Sequence, residues 1–215
     1  MEVKANKRSI KSGIYLVIDP SMEEQVLLKK LQIVLTKEIA AVQIWDNFKA
    51  DQNIVELIRK IHFLCAPHRT PVLINNQWEY LKATELEGVH FDAIPDDLDH
   101  IRKKIRKGSI LGLTCGNDLA DVGWAAKHGI DYISFCSMFP SSSVGDCEII
   151  AYGTVNKGAS IFDGPLFLAG GIYPKNLKRL DGLKYDGIAV ISGIMDSENP
   201  DRAMDEYHKN LNSTK

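Results

Sequence analysis

Two glycine-bearing segments lie where short apolar runs end in the C-terminal part of the chain. Gly170-Gly171 directly continues one run, and Ser192-Gly193 closes another. Because glycine has no Cβ, backbone N–H groups at such positions can approach an anion closely. Together the two segments predict a phosphate-binding site, with a tight strand-to-helix turn as the alternative for Gly170-Gly171.

Polar side chains end three other apolar runs. Gln43, Asn75 and Thr114 each follow several buried-type residues. Amides and hydroxyls at such positions predict ligand contacts, and the alternative is that they cap the helices that follow. His90 lies inside a fourth run, where a core histidine satisfied by hydrogen bonds is favoured over a catalytic one.

Eight apolar runs must position these residues. Most of them lack strict alternation, which is typical of strands buried on both faces in a parallel sheet. Segments with helical periodicity lie between the runs, as in residues 54–65. The predicted strands are Gly13–Ile18, Ala41–Ile44, Pro71–Ile74, Gly88–Phe91, Ile110–Thr114, Tyr132–Cys136, Pro165–Ala169 and Asp186–Ser192.

Eight repeats of strand and helix in 215 residues fit either a (β/α)8 TIM barrel or a doubly wound open sheet. The number of repeats favours the barrel. We therefore predict an α/β fold with a single TIM-barrel domain over residues 1–215, of which 1–12 form an N-terminal extension. In a barrel the ligand site lies at the carboxyl ends of the strands, and phosphate often binds after strands seven and eight.

The composition limits the classes of partner. The chain has 26 Lys and Arg against 28 Asp and Glu, whereas nucleic-acid-binding proteins usually carry a basic surplus. No window approaches the roughly 18 apolar residues of a membrane-spanning helix. The four cysteines form no CxxC pair, so neither a zinc site nor a disulfide framework is indicated. We expect a cytoplasmic protein that acts on a small phosphorylated molecule, with no nucleic acid or membrane as partner.

The same runs carry a resemblance to a known family. In order along the chain, the blocks resemble those of the thiamine phosphate synthase family, which includes a thiazole tautomerase branch. The resemblance covers nearly the whole chain, and the block DGIAVISGI at 186–194 is specific. The other blocks are residues 13–20, 42–44, 73–75, 88–90, 111–114, 131–133, 139–141 and 169–172.

The resemblance implies a (β/α)8 barrel and a transferase of thiamine biosynthesis. The family's synthase joins hydroxymethylpyrimidine diphosphate to thiazole phosphate with Mg²⁺, giving thiamine phosphate and pyrophosphate. Whether the chain forms a homodimer is left open by the sequence. Carried over by position, the thiazole phosphate contacts fall on Gly170, Gly171, Ile191, Ser192 and Gly193. The pyrimidine and pyrophosphate contacts fall on Gln43, Asn75 and Thr114, and Ser141 and Ser143 stand in place of two threonines.

Several charged positions of the family differ here. Trp45 and Asn47 stand where the family has Arg and Lys, and Val144 stands in place of another Lys. One magnesium carboxylate is Asn76 and the second falls on Pro95. Nearby groups could substitute through small shifts of the loops: Asp92, Asp96, Asp97 or Lys49. We take Asp96 and Asp97 as the candidate Mg²⁺ ligands.

Three functions therefore remain open. The first is thiamine phosphate synthesis, which family membership favours. The second is an enzyme that acts on another phosphorylated heterocycle, from which no diphosphate leaves. The third is a catalytically silent homologue that binds thiazole phosphate or thiamine phosphate. The replaced charges favour the second and third.

Overall fold

The eight predicted strands form a closed parallel barrel, in chain order, in the computed structural model, which describes residues 10–140 and 148–212. The predicted barrel is confirmed, and the open sheet is wrong. The strands are β1 (Gly13–Ile18), β2 (Ala41–Ile44), β3 (Val72–Asn75), β4 (Gly88–Phe91), β5 (Ile110–Cys115), β6 (Tyr132–Cys136), β7 (Leu166–Ala169) and β8 (Gly187–Val190).

Some strand bounds differ from the prediction for local reasons. β3 and β7 begin after Pro71 and Pro165, since proline has no N–H for the ladder. β8 ends at Val190 because Ile191 leaves the extended conformation, with φ −112° and ψ −90°, and Ser192 already starts a helix.

Helices cover the outside of the barrel. Between β3 and β4 and between β7 and β8, the connections contain only 3₁₀ turns, Trp78–Lys82 and Pro174–Leu180. The α-helices are α1 (Glu24–Val34), α2 (Ile54–Cys65), α3 (Leu98–Lys104), α4 (Leu119–Lys127), α5 (Tyr152–Ile161), α6 (Ser192–Met195) and α7 (Pro200–Asn212). None of the helices in the described ranges is long and apolar enough to cross a membrane.

Two apolar clusters hold the barrel together. The larger lies between strands and helices and includes Leu27 and Leu31 of α1 and Ile58 of α2, all fully buried. The smaller fills the barrel interior, where Tyr132 and Phe167 are its largest members together with Tyr15. This division follows from the strand geometry, because successive side chains point to opposite faces.

Glycines in the strands make room for the interior rings. Gly112 lies opposite Tyr132 in the ladder, and a Cβ on it would meet that ring at 2.1 Å. Gly187 lies opposite Phe167, where a Cβ would lie 2.6 Å from the ring. The strand glycines thus leave the space that the large rings occupy in the barrel interior.

Candidate functional site

A cavity of about 430 Å³ opens at the carboxyl ends of the strands. Its lining follows the alternation of side chains along each strand, since residues two apart point to the same face. All eight strands, or the residues just after them, contribute: Tyr15, Val17, Gln43, Trp45, Asn75, His90, Asp92, Thr114, Tyr132, Ser134, Cys136, Phe167, Ala169, Ala189 and Ile191.

A smaller recess of about 70 Å³ adjoins the cavity at the ends of β7 and β8. Gly170, Gly171, Ser192 and Gly193 line it, together with Ile191. Some lining residues belong to both spaces, so the recess and the cavity share a wall. We call this recess the glycine cradle.

Both glycines of the β7 loop are required by the backbone. Gly170 and Gly171 have φ values of +86° and +63°, which side chains rarely adopt. A Cβ on Gly171 would lie 2.6 Å from the carbonyl oxygen of Pro140 and 2.7 Å from that of Phe139. The Gly170-Gly171 segment is thus the tight turn considered as the alternative, and it also lines the cradle.

Hydrogen bonds hold the two cradle loops. The amide nitrogen of Asn176 donates to the Gly171 carbonyl oxygen at 2.8 Å, and the Tyr207 hydroxyl of α7 donates to that of Ile172 at 2.8 Å. The Tyr173 and Ser192 hydroxyl oxygens lie 3.4 Å apart across the loops. In the described part of the chain, neither Lys nor Arg lines the cradle or the cavity, so backbone N–H groups and hydroxyls must bind an anion there.

Buried hydroxyls and a histidine form one arm of the cavity floor. The Tyr15 and Tyr132 hydroxyl oxygens are 2.7 Å apart, and His90 Nδ1 lies 2.8 Å from the Tyr132 hydroxyl. His90 Nε2 lies 2.8 Å from Thr114 Oγ1, which is 3.2 Å from Ser134 Oγ. The floor therefore has hydrogen-bonding capacity beneath a largely apolar wall.

Amides and a carboxylate form the other arm. The Tyr15 hydroxyl donates to Gln43 Oε1 at 2.7 Å, and Gln43 Nε2 donates to Asn75 Oδ1. Asn75 Nδ2 donates to Asp92 Oδ2 at 2.7 Å. Asn76, with a left-handed φ of 51° that asparagine tolerates, donates from Nδ2 to Asp46 at 2.8 Å and to Asp92 at 2.9 Å.

Burial determines the charge state of the floor. It lowers the pKa of His90 to about 4, although Asp92 acts in the opposite direction. Burial raises the pKa of both Tyr15 and Tyr132 above the usual phenol value. At neutral pH the floor is thus made of a neutral imidazole and protonated phenols.

The structure brings most of the sequence-predicted residues together. Gln43, Asn75 and Thr114 meet at the floor. The helix-capping alternative for them is wrong, because Asn53 caps α2, Asp118 caps α4 and the 3₁₀ turn after β3 has no side-chain cap. His90 is a buried histidine with two hydroxyl partners, as favoured, and it also lines the cavity. Ser141, Ser143 and Val144 lie outside the described residues.

The fit of a magnesium ion can be tested from the donor set. Asp97 caps α3 by accepting the His100 N–H at 2.8 Å, and Asp96 is exposed. Asn76 presents an amide N–H₂ to Asp46 and Asp92, in the place of a third carboxylate. Within 10–140 and 148–212, no three His, Cys, Asp or Glu side chains are grouped to hold a metal ion. Mg²⁺ is commonly held by one or two carboxylates together with substrate phosphates, and Asp46 and Asp92, both bonded to Asn76 Nδ2, are two carboxylates that lie close together. The assignment of Mg²⁺ to Asp96 and Asp97 stays an untested prediction.

Two tyrosines of the site are not among the sequence-predicted site residues, nor is Asp46, which with Asp92 forms an acidic rim around Asn76. The apolar runs predict only strand positions for Tyr15 and Tyr132, and the reach of Asp92 to Asn75 and Asn76 depends on the fold. The available signal was the alternation within each run: once Gln43 or Thr114 is placed inward, residues two positions away face inward as well.

Comparisons with known proteins place the chain in a family. The profile of a protein family described as thiamine monophosphate synthase matches residues 14–194. The thiamine-phosphate synthase of Clostridium tetani is 27% identical over 202 residues, which cover 94% of this chain and 96% of that protein. That of Picrophilus torridus is 29% identical over 200 residues, which cover 93% and 97%.

Solved structures show the same fold. The thiamine phosphate pyrophosphorylase from Pyrococcus furiosus superimposes with a TM-score of 0.79 at 20% sequence identity. The superposition covers 94% of this chain and 96% of that one.

Proposed function

The chain belongs to the thiamine monophosphate synthase family, and from that membership we propose that it binds thiazole phosphate, with the phosphate in the glycine cradle and the ring in the cavity. The observation that carries this proposal is the adjacency of the two spaces: the cradle at the ends of β7 and β8 shares lining residues with a cavity of about 430 Å³. Phosphate binding at these two loops is common in TIM barrels.

The reaction that we propose is the family's transfer. The bond between the hydroxymethylpyrimidine methylene carbon and the diphosphate oxygen breaks, the diphosphate takes the electron pair, and the thiazole nitrogen forms the new bond to carbon. Gln43, Asn75 and Thr114 would orient the pyrimidine from the floor. The apolar wall formed by Trp45 and Phe167 would exclude water from the carbocation-like centre.

We expect this transfer to be slow because of the residues at the diphosphate end. Asp46 and Asp92 lie at that rim, whereas Trp45 and Asn47 supply no cation. A charge-assisted hydrogen bond contributes about 1.5–3 kcal/mol. Three missing cations, Val144 included, therefore correspond to about 5–9 kcal/mol, or roughly 10³ to 10⁶ in rate.

The same acidic rim favours a second candidate. In it, a phosphorylated heterocycle occupies the cradle and cavity while no diphosphate leaves, either because the protein acts on another substrate or because it only binds thiazole phosphate or thiamine phosphate. The two candidates share the cradle and differ in whether pyrophosphate is released.

We further propose that the protein works in the cytoplasm, without a nucleic acid partner. The near balance of acidic and basic residues supports the latter. A homodimer stays a prediction, which light scattering would test.

The cradle is tested by calorimetry with thiazole phosphate. Wild type should bind, and Gly171→Ala should bind at least tenfold more weakly, because the new Cβ meets two carbonyl oxygens under 3 Å away. Gly182→Ala is the matched control, since Gly182 also has a positive φ, +82°, but open space around it. Absence of binding by wild type, or equal binding by the Gly171 variant, would refute the cradle.

The two candidates are separated by pyrophosphate release from hydroxymethylpyrimidine diphosphate and thiazole phosphate at saturating Mg²⁺. We expect turnover far below that of a fully charged family member. Ordinary turnover would show that other groups supply the missing charge. Binding of thiazole phosphate with no release would favour the second candidate.

A further inference from the structure

Seven side chains of the cavity floor and the exposed Asp92 at its rim are joined end to end by hydrogen bonds, and we call this series the floor relay. It links residues far apart in sequence, such as Tyr15 and Tyr132. In order, its members are Ser134, Thr114, His90, Tyr132, Tyr15, Gln43, Asn75 and Asp92.

The direction of every bond follows from the Asp92 end. A carboxylate oxygen can only accept, so the N–H₂ of Asn75 must face Asp92 and its Oδ1 must face Gln43. Gln43 therefore donates from Nε2 and turns Oε1 to Tyr15, whose hydroxyl donates to it.

The same argument continues through the hydroxyl arm. Since Tyr15 has used its single proton, Tyr132 donates to Tyr15, and the ring nitrogen that faces Tyr132 must then carry a proton. His90 is neutral at pH 7, so this is the Nδ1–H tautomer, and its bare Nε2 accepts from Thr114. Thr114 has then used its proton and accepts from Ser134.

We propose that Asp92 is a positioning residue which, through the floor relay, fixes the donor and acceptor pattern that the cavity shows to a ligand ring. Gln43 and Asn75 each keep one amide N–H that can donate to the ligand. In the described part of the chain the Ser134 hydroxyl makes only the bond to Thr114, which leaves its oxygen to accept. The pattern suits a flat heterocycle with an acceptor nitrogen on one side and a donating amino group on the other.

Asp92 is itself held in place for this role. Its backbone N–H donates to Asn76 Oδ1 at 3.0 Å, and its Oδ2 also accepts from Asn76 Nδ2 at 2.9 Å. Without an acceptor at this position, the amides of Asn75 and Gln43 can turn over, because their oxygen and nitrogen ends have nearly the same shape. The relay would then lose its single direction.

The relay is tested by ¹⁵N NMR of the histidine rings near pH 7, with the His90 signals assigned by their loss in His90→Asn. Wild type should show the Nδ1–H tautomer alone. Asp92→Ala should show a mixture of tautomers, whereas Asp92→Asn should keep one tautomer, because its amide oxygen can still accept. Asp99→Ala, at an exposed position of α3, is the control and should match wild type.

Ligand binding gives a second readout, which rests on the proposed function. Hydroxymethylpyrimidine should bind Asp92→Ala about tenfold more weakly than wild type, the effect of about one hydrogen bond, and Asp92→Asn should restore most of the affinity. A role for the negative charge itself would instead lower the affinity of both variants and overturn the proposal.

Two further results would also overturn it: an Nε2–H tautomer in wild type, or an unchanged tautomer in Asp92→Ala. If Asp92→Ala fails to fold, Tyr15→Phe interrupts the relay elsewhere and should release the tautomer with Asp92 intact. If wild type binds no pyrimidine, the proposed function fails while the NMR result still decides the relay.

Discussion

At the scale of single residues, His90 shows how burial controls charge. Both ring nitrogens have hydroxyl partners, Tyr132 and Thr114, and neither partner is a carboxylate that would stabilise a proton on the ring. Desolvation therefore outweighs the attraction of Asp92, and the pKa falls to about 4. The residue serves the site as a neutral hydrogen-bonding ring.

This lowered pKa predicts a pH dependence of stability. Above pH 6.5 the histidine is neutral in both states and contributes no slope. Between pH 6.5 and about 4 the unfolded chain binds a proton that the folded protein does not. The free energy of unfolding therefore decreases as the pH decreases, by about 3 kcal/mol in total. Urea unfolding of wild type and His90→Asn at several pH values should show this loss in wild type alone.

The control for this prediction is His68→Asn, since His68 is exposed after α2. That variant should keep the wild-type slope. Equal slopes in wild type and His90→Asn would contradict a buried neutral histidine.

At the scale of elements, the last helix positions the cradle. Tyr207 of α7 is fully buried, and its hydroxyl bonds to the carbonyl of Ile172 after β7. The same hydroxyl lies where a Cβ on Gly193, after β8, would approach to 2.0 Å. The Tyr207 side chain thus sets the spacing of both loops. Gly193 is needed to leave room for the Tyr207 hydroxyl, as well as to let an anion approach the backbone.

This arrangement predicts coupling between the two residues. Gly193→Ala should destabilise the protein by pushing the Tyr207 hydroxyl off Ile172, and Tyr207→Phe alone should cost about 1 kcal/mol, the value of one hydrogen bond. When Tyr207→Phe is already present, Gly193→Ala should lower the free energy of unfolding by about 1 kcal/mol less than it does in wild type. Unfolding free energies of the four proteins measure this, and strictly additive values would show that the two residues act independently.

At the scale of the whole molecule, both ends of the ligand space are polar, but among the described lining residues only the end away from the cradle carries carboxylates. The cradle after β7 and β8 has glycines and hydroxyls, whereas Asp92 lines the cavity after β4, on the other side of the barrel, and Asp46 after β2 accepts from the same Asn76 amide as Asp92. A monophosphate fits the first end. A diphosphate at the second end would face carboxylates with no Lys or Arg among the described lining residues.

Restoring the family's charges should therefore change the ligand preference. We expect the variant Trp45→Arg, Asn47→Lys, Asn76→Asp, Val144→Lys to bind pyrophosphate with Mg²⁺ at least tenfold more tightly, as attraction at 4 Å is about 4 kcal/mol per pair at an effective dielectric of 20. The pyrophosphate affinity of Trp45→Ala, measured by calorimetry beside that of the quadruple variant, tests whether the indole only fills the volume that the diphosphate needs. No gain in either variant would show a pocket rebuilt for another ligand and would exclude the synthase function.

The sequence by itself determined the elements and the cradle. Eight buried strands, their order and the glycines after β7 and β8 could be predicted because they depend on local properties: apolar runs, proline and glycine conformations, and chain order. The inward placement of Gln43, Asn75 and Thr114 was also within reach, since a parallel barrel gathers the carboxyl ends of its strands.

Only the tertiary structure decided which of these groups meet. Tyr15 and Tyr132 are 117 residues apart, and their contact depends on barrel closure, strand register and the space left by Gly112. The reach of Asp92 to Asn75 depends on how one loop leaves β4. Such contacts, and the pKa of His90 that follows from burial among them, are set by packing summed over the whole barrel, which no local pattern in the sequence records.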